Sequence, residues 1–322
     1  MRSRVCDLLG IDLPIILAPF GPWDEIDLAA AVSNAGGLGS VGTAVRSVDE
    51  LTAEWERLRS LTDRPFAVNH TGRPFDEAAF DATLELAPVA ISFHMGIPGE
   101  LIAAAHDRGI LWMQTVGDTD AATLALDAGA DVLIAQGGEA GGNSGWVSTM
   151  ALVPAVVDLA GTVPVVAAGG IGDGRGGAAS LALGAQGVSL GTRFLASTEM
   201  AIAAEWKERI VAADAHDAVK VQHSERVMPP FTLPQHGTPF APRCLRTSLI
   251  DQLERDPASV DPATLGPALL AAVRSGGGHD LLPFSGQSAG VIRDVAPGAT
   301  LVARLLAETD EALRAARSIA DG

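Results

Sequence analysis

The 322-residue chain has no tyrosine and only two cysteines, Cys6 and Cys244, which lie far apart in the sequence. The absence of tyrosine excludes every mechanism in which a tyrosine hydroxyl donates a proton. Neither cysteine belongs to a CxxC motif or a Cys/His cluster, which disfavours a disulfide scaffold and a structural zinc site. We therefore expect chemistry that uses neither a thiol pair nor a metal ion.

Positive charge is also scarce, because 22 lysine and arginine residues stand against 39 aspartates and glutamates, for a net charge of −17. A surface this acidic repels phosphate backbones and anionic lipids, so we expect neither nucleic acid nor membrane as a partner. Long apolar runs are missing as well. The longest uncharged segment, residues 140–157, is rich in glycine and polar residues, unlike the ~20 apolar residues of a membrane span.

The first 17 residues lack the apolar centre of a signal peptide, because Asp7, Asp12 and Pro14 interrupt the apolar stretch. We therefore expect a cytoplasmic protein that acts on a small-molecule substrate. The sequence leaves the oligomeric state open, with a homodimer as one option.

Eight short apolar runs alternate with segments that carry helix signals, such as the capping box of Ser47 and Glu50. Runs rich in Val, Ile and Ala without polar alternation are typical of parallel strands buried on both faces. Eight such units predict a (β/α)8 TIM barrel, a fold of roughly 250 residues. A doubly wound open sheet is the competing fold. The predicted strands are residues 14–19, 38–43, 65–69, 89–94, 110–116, 131–136, 163–168 and 187–191.

This alternation stops after Phe194, and the chain divides into three predicted parts. Residues 1–197 form the barrel. Residues 198–284 form a helical lobe, interrupted by a proline-rich crossing at residues 228–234 and 237–242. Residues 285–322 contain a closing segment and a last helix that returns to the barrel.

The carboxyl ends of barrel strands carry the chemistry, and here they are mainly neutral polar residues and glycines. Gly169 and Gly170 follow the seventh predicted strand, and Gly191 follows the eighth. Backbone N–H groups at such glycines can cradle a phosphate. The alternative is that these glycines only make tight turns.

Motifs at and between the predicted strands follow one another in a fixed order. They are Ala18-Pro19, residues 31–40 (AVSNAGGLGS), 66–69 (FAVN), 92–98 (SFHMGIP), 136–142 (QGGEAGG), 168–176 (AGGIGDGRG), 190–194 (LGTRF) and 285–290 (SGQSAG). Together they resemble the nitronate monooxygenase family, once called 2-nitropropane dioxygenases. The resemblance implies a barrel that binds FMN and oxidises alkyl nitronates with oxygen. It also covers relatives that reduce quinones or enoyl thioesters with NAD(P)H.

The resemblance assigns cofactor contacts to the strand ends. Neutral amides suit this role, because they bond flavin carbonyls and ring N–H groups without adding charge. For Asn69 and Gln136 the alternative is ordinary satisfaction of backbone groups at the strand ends. The implied FMN contacts are Ala18 and Asn69 at the flavin ring, Gln136 and Gly141 on the sixth strand, Gly169, Gly170, Ser189, Gly191 and Thr192 at the phosphate, and Gln287 and Ser288 in the closing segment.

One position departs from the family. Its nitronate monooxygenases carry a histidine after Glu-Ala-Gly-Gly, to which the resemblance assigns the role of catalytic base, and this chain has Asn143 there. An amide takes no proton near neutral pH, whereas an anionic nitronate needs only electron transfer. His94, at the end of the fourth strand, is the nearest remaining candidate base. His70 either reaches the same barrel mouth or is an ordinary loop residue.

Three functions therefore stay open: an FMN oxidase or monooxygenase of a nitronate or similar small carbanion, an FMN reductase that uses NAD(P)H on a quinone or enoyl group, and a degenerate flavin-binding protein. Two other motifs mislead. Residues 172–177 match G-x-G-x-x-G, but no acidic residue ends the next strand as a dinucleotide fold requires. Residues 286–290 match G-x-S-x-G, but no histidine follows to complete a hydrolase triad.

Overall fold

The computed structural model describes residues 2–23, 25–228, 240–275 and 277–321. Its main sheet has eight parallel strands in the order β1-β9-β8-β6-β5-β4-β3-β2. A parallel bridge between Ile16 of β1 and Leu38, the residue before β2, joins the two ends of this order. The (β/α)8 barrel predicted from the sequence is thereby confirmed, and the open doubly wound sheet is excluded. The barrel strands are β1 (Ile15–Leu17), β2 (Gly39–Gly42), β3 (Phe66–Thr71), β4 (Ala90–His94), β5 (Leu111–Val116), β6 (Val132–Gln136), β8 (Val165–Ala168) and β9 (Gly187–Leu190).

Helices between the strands cover the outside of the barrel. The Ser47 hydroxyl accepts a bond from the Glu50 backbone and the Glu50 carboxylate bonds the Ser47 N–H, so the predicted capping box is present. Among the described helices, none is both long and apolar enough to span a membrane. The helices are α1 (Arg4–Leu9), α2 (Ile26–Asn34), α3 (Val48–Leu61), α4 (Glu77–Leu86), α5 (Gly99–His106), α6 (Thr119–Asp127), α7 (Thr149–Ala160), α8 (Gly174–Ala182), α9 (Thr192–Leu195), α10 (Ala204–Ala212), α11 (Ser248–Arg255), α12 (Pro262–Arg274) and α13 (Gly298–Ala320).

The apolar core has two layers because successive strand residues point to opposite faces. One cluster fills the barrel interior and includes Ala67, Ala90, Met113 and Val166, together with residues of α1 at its base. The other cluster lies between the strands and the outer helices. The last helix, α13, buries Leu301 in that outer cluster.

The predicted helical lobe contributes two strands, and the loop after β6 contributes one, to a sheet that the sequence analysis missed. Three short strands, β7 (Gly142–Ser144), β10 (Ala218–Lys220) and β11 (Ala241–Leu245), form a separate antiparallel sheet in the order β10-β11-β7. We call it the cap sheet. Its strands are only three to five residues long and lack a clear apolar period. Most of the predicted proline-rich crossing, residues 229–239, lies outside the described residues.

Candidate functional site

Strand alternation places the predicted site residues on the inner face of the barrel. Ala67 of β3 and Ile134 of β6 belong to the interior cluster, so Asn69 and Gln136, two residues further on, face the same interior. The same count from Ala90 brings His94 inward at the end of β4. The strand ends therefore converge at one mouth, where Ala18, Asn69, His94, Gln136, Ser189 and Gly191 share the inward face.

Asn69 is held by its neighbours rather than left to rotate. Its side-chain Nδ2 donates to the Ser92 carbonyl at 3.1 Å and to Ser92 Oγ at 2.9 Å, and the Thr43 hydroxyl donates to the Asn69 carbonyl at 3.2 Å. Asn69 and Ser92 are both buried. The inner wall at β3 and β4 is therefore polar, uncharged and fixed in orientation.

The closing segment packs directly on the loop after β6. A Cβ on Gly141 would lie 2.6 Å from the Gly286 nitrogen, so the two backbones approach too closely for any side chain. The Gln287 N–H donates to the Glu139 carbonyl at 2.9 Å, and the Gly286 N–H donates to Thr192 Oγ1 at 2.8 Å. The segment with Gln287 and Ser288 is thus joined to the ends of β6 and β9, next to the other predicted contacts.

Glu139, the acidic residue of this loop, has a structural partner. Its carboxylate accepts bonds from the Thr149 N–H at 2.9 Å and from the Thr149 hydroxyl at 2.9 Å. It thereby satisfies a donor at the N-terminus of α7, where a negative charge is favourable. Glu139 therefore anchors the loop after β6 to the start of α7.

Two glycines after β8 have backbone conformations that side chains rarely adopt. Gly169 has a φ of +96° and Gly170 has a φ of +74°, and a Cβ on Gly169 would lie 2.8 Å from the Gly137 carbonyl. Gly191 differs, because its φ is −101° and a Cβ would make only ordinary contacts with Phe20 and Ala18 at 3.7 and 3.8 Å. The fold itself therefore requires glycine at 169 and 170, but not at 191.

Asn143 and His94 meet at the rim of the barrel. The His94 Nε2 lies 3.1 Å from the Asn143 carbonyl oxygen. A carbonyl only accepts, so the hydrogen is on Nε2 and the lone pair of the neutral ring is on Nδ1. Burial lowers the pKa of His94 to about 4; the bond to Asn143 opposes this shift and the charge of Lys220 adds to it. His94 is therefore neutral at pH 7.

The Asn143 side chain carries an unsatisfied polar atom. Its Oδ1 is buried and has no hydrogen-bond partner among the described residues. Leaving a buried acceptor unpaired costs about 1–3 kcal/mol. An amide can present either its oxygen or its NH2 group at that position, depending on which way it is turned. The side chain is therefore suited to bind a polar group of a ligand.

Lys220 was not predicted, although it lies beside these residues. Its Nζ donates to the Ser144 carbonyl at 2.6 Å, to Ser144 Oγ at 2.7 Å and to the Ala241 carbonyl at 2.9 Å. Burial, with a smaller contribution from the nearby Arg243 charge, lowers the pKa of Lys220 to about 7. One available signal was its rarity, since the chain has only one other lysine, Lys207.

His70 does not reach the barrel mouth, and it is not a loop residue. It lies in β3 on the face opposite to Asn69, where its Nδ1 is 3.3 Å from Thr43 Oγ1 and its Nε2 is 2.9 Å from Thr83 Oγ1. Burial lowers the pKa of His70 to about 4. Both alternatives considered from the sequence are therefore wrong, because the strand extends beyond its predicted end and turns His70 toward the helices.

A groove of about 760 Å³ lies between the start of α8 and α13, and none of the predicted site residues lines it. Its wall includes Arg193, which pairs with Asp294 at 3.0 Å, and Arg304, which pairs with the same carboxylate at 2.7 Å. These ion pairs tie the end of β9 to the chain after the closing segment. In the part of the chain that the structure describes, no group of three or more His, Cys, Asp or Glu residues could hold a metal ion.

Comparison with known proteins agrees with this arrangement. The sequence profile described as nitronate monooxygenase matches residues 2–78 and 70–308. The nitronate monooxygenase of Paraburkholderia phytofirmans is 32% identical, with 99% of this chain and 98% of the relative covered. The (3aS,4S,5R,7aS)-5-hydroxy-7a-methyl-1-oxo-octahydro-1H-indene-4-carboxyl-CoA dehydrogenase of Mycobacterium tuberculosis is 35% identical, with 79% and 69% covered.

The fold is shared with a solved structure of FabK from Thermotoga maritima. The TM-score is 0.88 at 33% identity, and the match covers 99% of each chain. The family profile and the full-length relative both extend through the barrel, the cap sheet and the closing segment. The chain is an enzyme that belongs to the nitronate monooxygenase family, a family of flavin-dependent oxidoreductases.

Proposed function

We propose that this enzyme binds FMN and oxidises an alkyl nitronate, or a similar small carbanion, with oxygen as the electron acceptor. The observation that carries the proposal is the chemistry of the barrel mouth. The side chain at its rim is the Asn143 amide, and His94 beside it is neutral at pH 7 with a pKa of about 4. Neither group removes a proton well from a neutral carbon acid, so the site suits a substrate that is already an anion.

Three features support FMN as the cofactor. The inner wall offers neutral amides at Asn69 and Gln136, which suit flavin carbonyl and N–H groups. Gly169 and Gly170 carry no side chain of their own, which suits the approach of a phosphate to their backbone N–H groups. Gly191 has room for a Cβ, so its glycine is not required by the fold but suits close approach of a ligand. These glycines provide one phosphate cradle, which favours FMN over FAD.

When bound, the flavin supplies the electron-accepting ring, and the protein supplies position and polarity. Ser92 orients the Asn69 side chain, which lines the inner wall of the barrel at β3. Asn143 turns its amide so that the NH2 group donates to the oxygens of the anionic substrate. His94 keeps the backbone of Asn143 in place through Nε2. In this proposal, Asn143 occupies the position of the family's catalytic histidine and binds the anion without serving as a base.

A second candidate is an FMN-dependent reductase that uses NAD(P)H on a quinone or enoyl substrate. It is favoured by the 35% identity to a Mycobacterium tuberculosis enzyme named as a dehydrogenase of a carboxyl-CoA thioester. This candidate also binds FMN, with the phosphate at the same glycines. It differs in which compound delivers electrons to the flavin.

Anaerobic mixing of the yellow protein distinguishes these functions. The proposal predicts that an alkyl nitronate bleaches the flavin absorbance and that oxygen restores it, whereas NADH and NADPH leave it unchanged. Bleaching by a reduced nicotinamide alone would support the reductase. Bleaching by none of these compounds would favour the degenerate protein, and release of FAD on heating would contradict the cofactor assignment.

A further inference from the structure

Lys220 connects the three strands of the cap sheet at the point nearest to Asn143. Strand β11 lies between β10 and β7, with Lys220 opposite Arg243 and Asn143 opposite Pro242. The Lys220 side chain crosses this central strand and bonds Ala241 on β11 and Ser144 on β7. All three ammonium hydrogens have an oxygen acceptor within 2.9 Å.

This bonding continues to the barrel rim in two short steps. Ser144 follows Asn143 directly on β7, and its side chain and carbonyl are both bound to the ammonium. The Asn143 carbonyl in turn binds His94 on β4. Any displacement of Ser144 therefore moves the Asn143 backbone, the direction of its amide and the partner of His94 together.

We propose that Lys220 is a positioning residue of the catalytic site: its ammonium fixes strand β7 through Ser144, and so sets the Asn143 amide and the tautomer of His94. This inference rests on the proposed function for its kinetic consequence. Its structural part concerns only residues of this chain. Lys220 acts through Ser144 and needs no contact with substrate or cofactor.

The ammonium has charged or titratable neighbours on several elements. Arg243 and Cys244 belong to β11, Glu139 belongs to the loop before β7, and His94 ends β4. The Trp146 ring is 5.4 Å from Nζ and stabilises the cation. With a pKa of about 7 for Lys220, the amine loses one donor hydrogen as the pH rises through neutrality. The restraint on Ser144 is therefore strongest below pH 7 and weakens above it.

The presence of only two lysines makes a direct test practical. Lysine labelled with 13C at Cε gives one NMR signal from Lys207 and one from Lys220, and Lys207→Met identifies them. We expect the Lys220 signal to titrate near pH 7. The 15N spectrum of the histidine rings should show His94 with its hydrogen on Nε2, and His94→Gln identifies that signal. In Lys220→Met the tautomer of His94 should become mixed, because the Asn143 carbonyl is no longer held where it binds the hydrogen on Nε2.

Kinetics tests the functional part on the FMN-loaded protein. In the wild type, the rate with an alkyl nitronate should fall as the pH rises through 7. This fall in rate above pH 7 should be absent in Lys220→Met. The variant should also lose roughly tenfold in kcat, which is the effect of one displaced hydrogen bond. Lys220→Arg stays protonated and should restore the rate without the fall above pH 7. Lys207→Met, whose lysine bonds the Ser197 carbonyl elsewhere, should keep the wild-type profile.

Ser144→Ala is a second variant that keeps the lysine and removes only one acceptor. It should give a smaller loss in the same direction. An unchanged His94 tautomer in both Lys220→Met and Ser144→Ala would overturn the proposal. If the wild type oxidises no nitronate but the NMR changes appear, the proposed function fails while the positioning role of Lys220 stands.

Discussion

The barrel and the cap sheet hold the candidate site from two sides, and they do so by different means. The barrel wall places Asn69 and Gln136 through parallel strand register, and its polar bonds are short-range and neutral, as between Asn69 and Ser92. The cap sheet places Asn143 through three short antiparallel strands and a partly buried cation, Lys220. The first side suits binding of the planar, uncharged ring of a flavin. In our proposal, the second carries the groups whose charge and orientation decide which substrate is used.

This difference predicts that substitutions on the cap sheet change reactivity, whereas substitutions on the barrel change cofactor affinity or stability. The largest effect is expected from Asn143→His, which introduces a base at the rim. The rate with a neutral nitroalkane should rise ~10² to 10⁴-fold, the usual contribution of general base catalysis. The rate with the corresponding nitronate should change much less. Steady-state kinetics with each compound measures this.

Asn143→Gln is the matched control, because it changes the side chain without adding a base, and it should leave the neutral compound unreactive. Equal changes with both substrates in Asn143→His would show that residue 143 only positions the substrate. If His94→Ala abolishes turnover of the neutral compound by the wild type, His94 carries the base role instead.

The second prediction concerns the barrel side at Gly191. A valine there keeps an allowed backbone but fills space next to Phe20 and Ala18. Flavin affinity should weaken roughly tenfold to hundredfold, the scale of overpacking, while the fold persists by circular dichroism. Gly266→Val in α12 is the control, because a Cβ at Gly266 would meet no other part of the protein within 4 Å, and this variant should keep its flavin. Gly170→Val is a poorer test, because φ of +74° strains any side chain. Unchanged flavin affinity in Gly191→Val would place the phosphate elsewhere.

The third prediction concerns His70, which lies on the outer face of β3. His70 is buried and its folded-state pKa of about 4 lies below the unfolded value of about 6.5. The unfolded chain therefore binds a proton first, so stability is lost as the pH falls from 6.5 toward 4. Between pH 7 and 5 this group removes about 2 kcal/mol from the free energy of unfolding.

Urea unfolding at both pH values measures that loss. His70→Asn should show a smaller fall in the free energy of unfolding between pH 7 and 5, whatever its stability at pH 7. His216→Gln alters an exposed histidine and should keep the wild-type fall. A fall of the same size in His70→Asn would contradict the assignment of this pH dependence to His70.

The smallest effect is expected at the capping box of α3, far from the cap sheet. Ser47→Ala removes the acceptor for the Glu50 N–H and should lower the free energy of unfolding by about 1 kcal/mol. Flavin affinity and nitronate turnover should stay at the wild-type level. Ser60→Ala, whose hydroxyl bonds within the same helix, is the control with a smaller loss. A change in turnover would show that the barrel side also influences reactivity.

The sequence predicted the barrel well because its strands are buried on both faces and are therefore apolar throughout. Asn69 and Gln136 were named through the family resemblance, and strand alternation in the structure turns both of them inward. His70 was misjudged because β3 extends two residues beyond its predicted end, to Thr71. One residue of alternation then decides whether a side chain faces the mouth or the helices.

The cap sheet was missed for a different physical reason. Its strands join residues about a hundred positions apart, such as Asn143 and Pro242, and its short strands carry no periodic signal. Lys220 becomes meaningful only when this pairing brings it to Ser144. Contacts of this kind depend on tertiary structure, and local sequence patterns do not contain them.

The central claim is that this site accepts a substrate that is already an anion and does not deprotonate a neutral one. It is tested most directly by the ratio of kcat/KM for an alkyl nitronate to kcat/KM for the freshly dissolved neutral nitroalkane of the same carbon skeleton, measured on the wild-type FMN protein by oxygen consumption at pH 7. The account predicts a ratio of at least about a hundred, the lower end of what a missing general base costs. A ratio near one would contradict it.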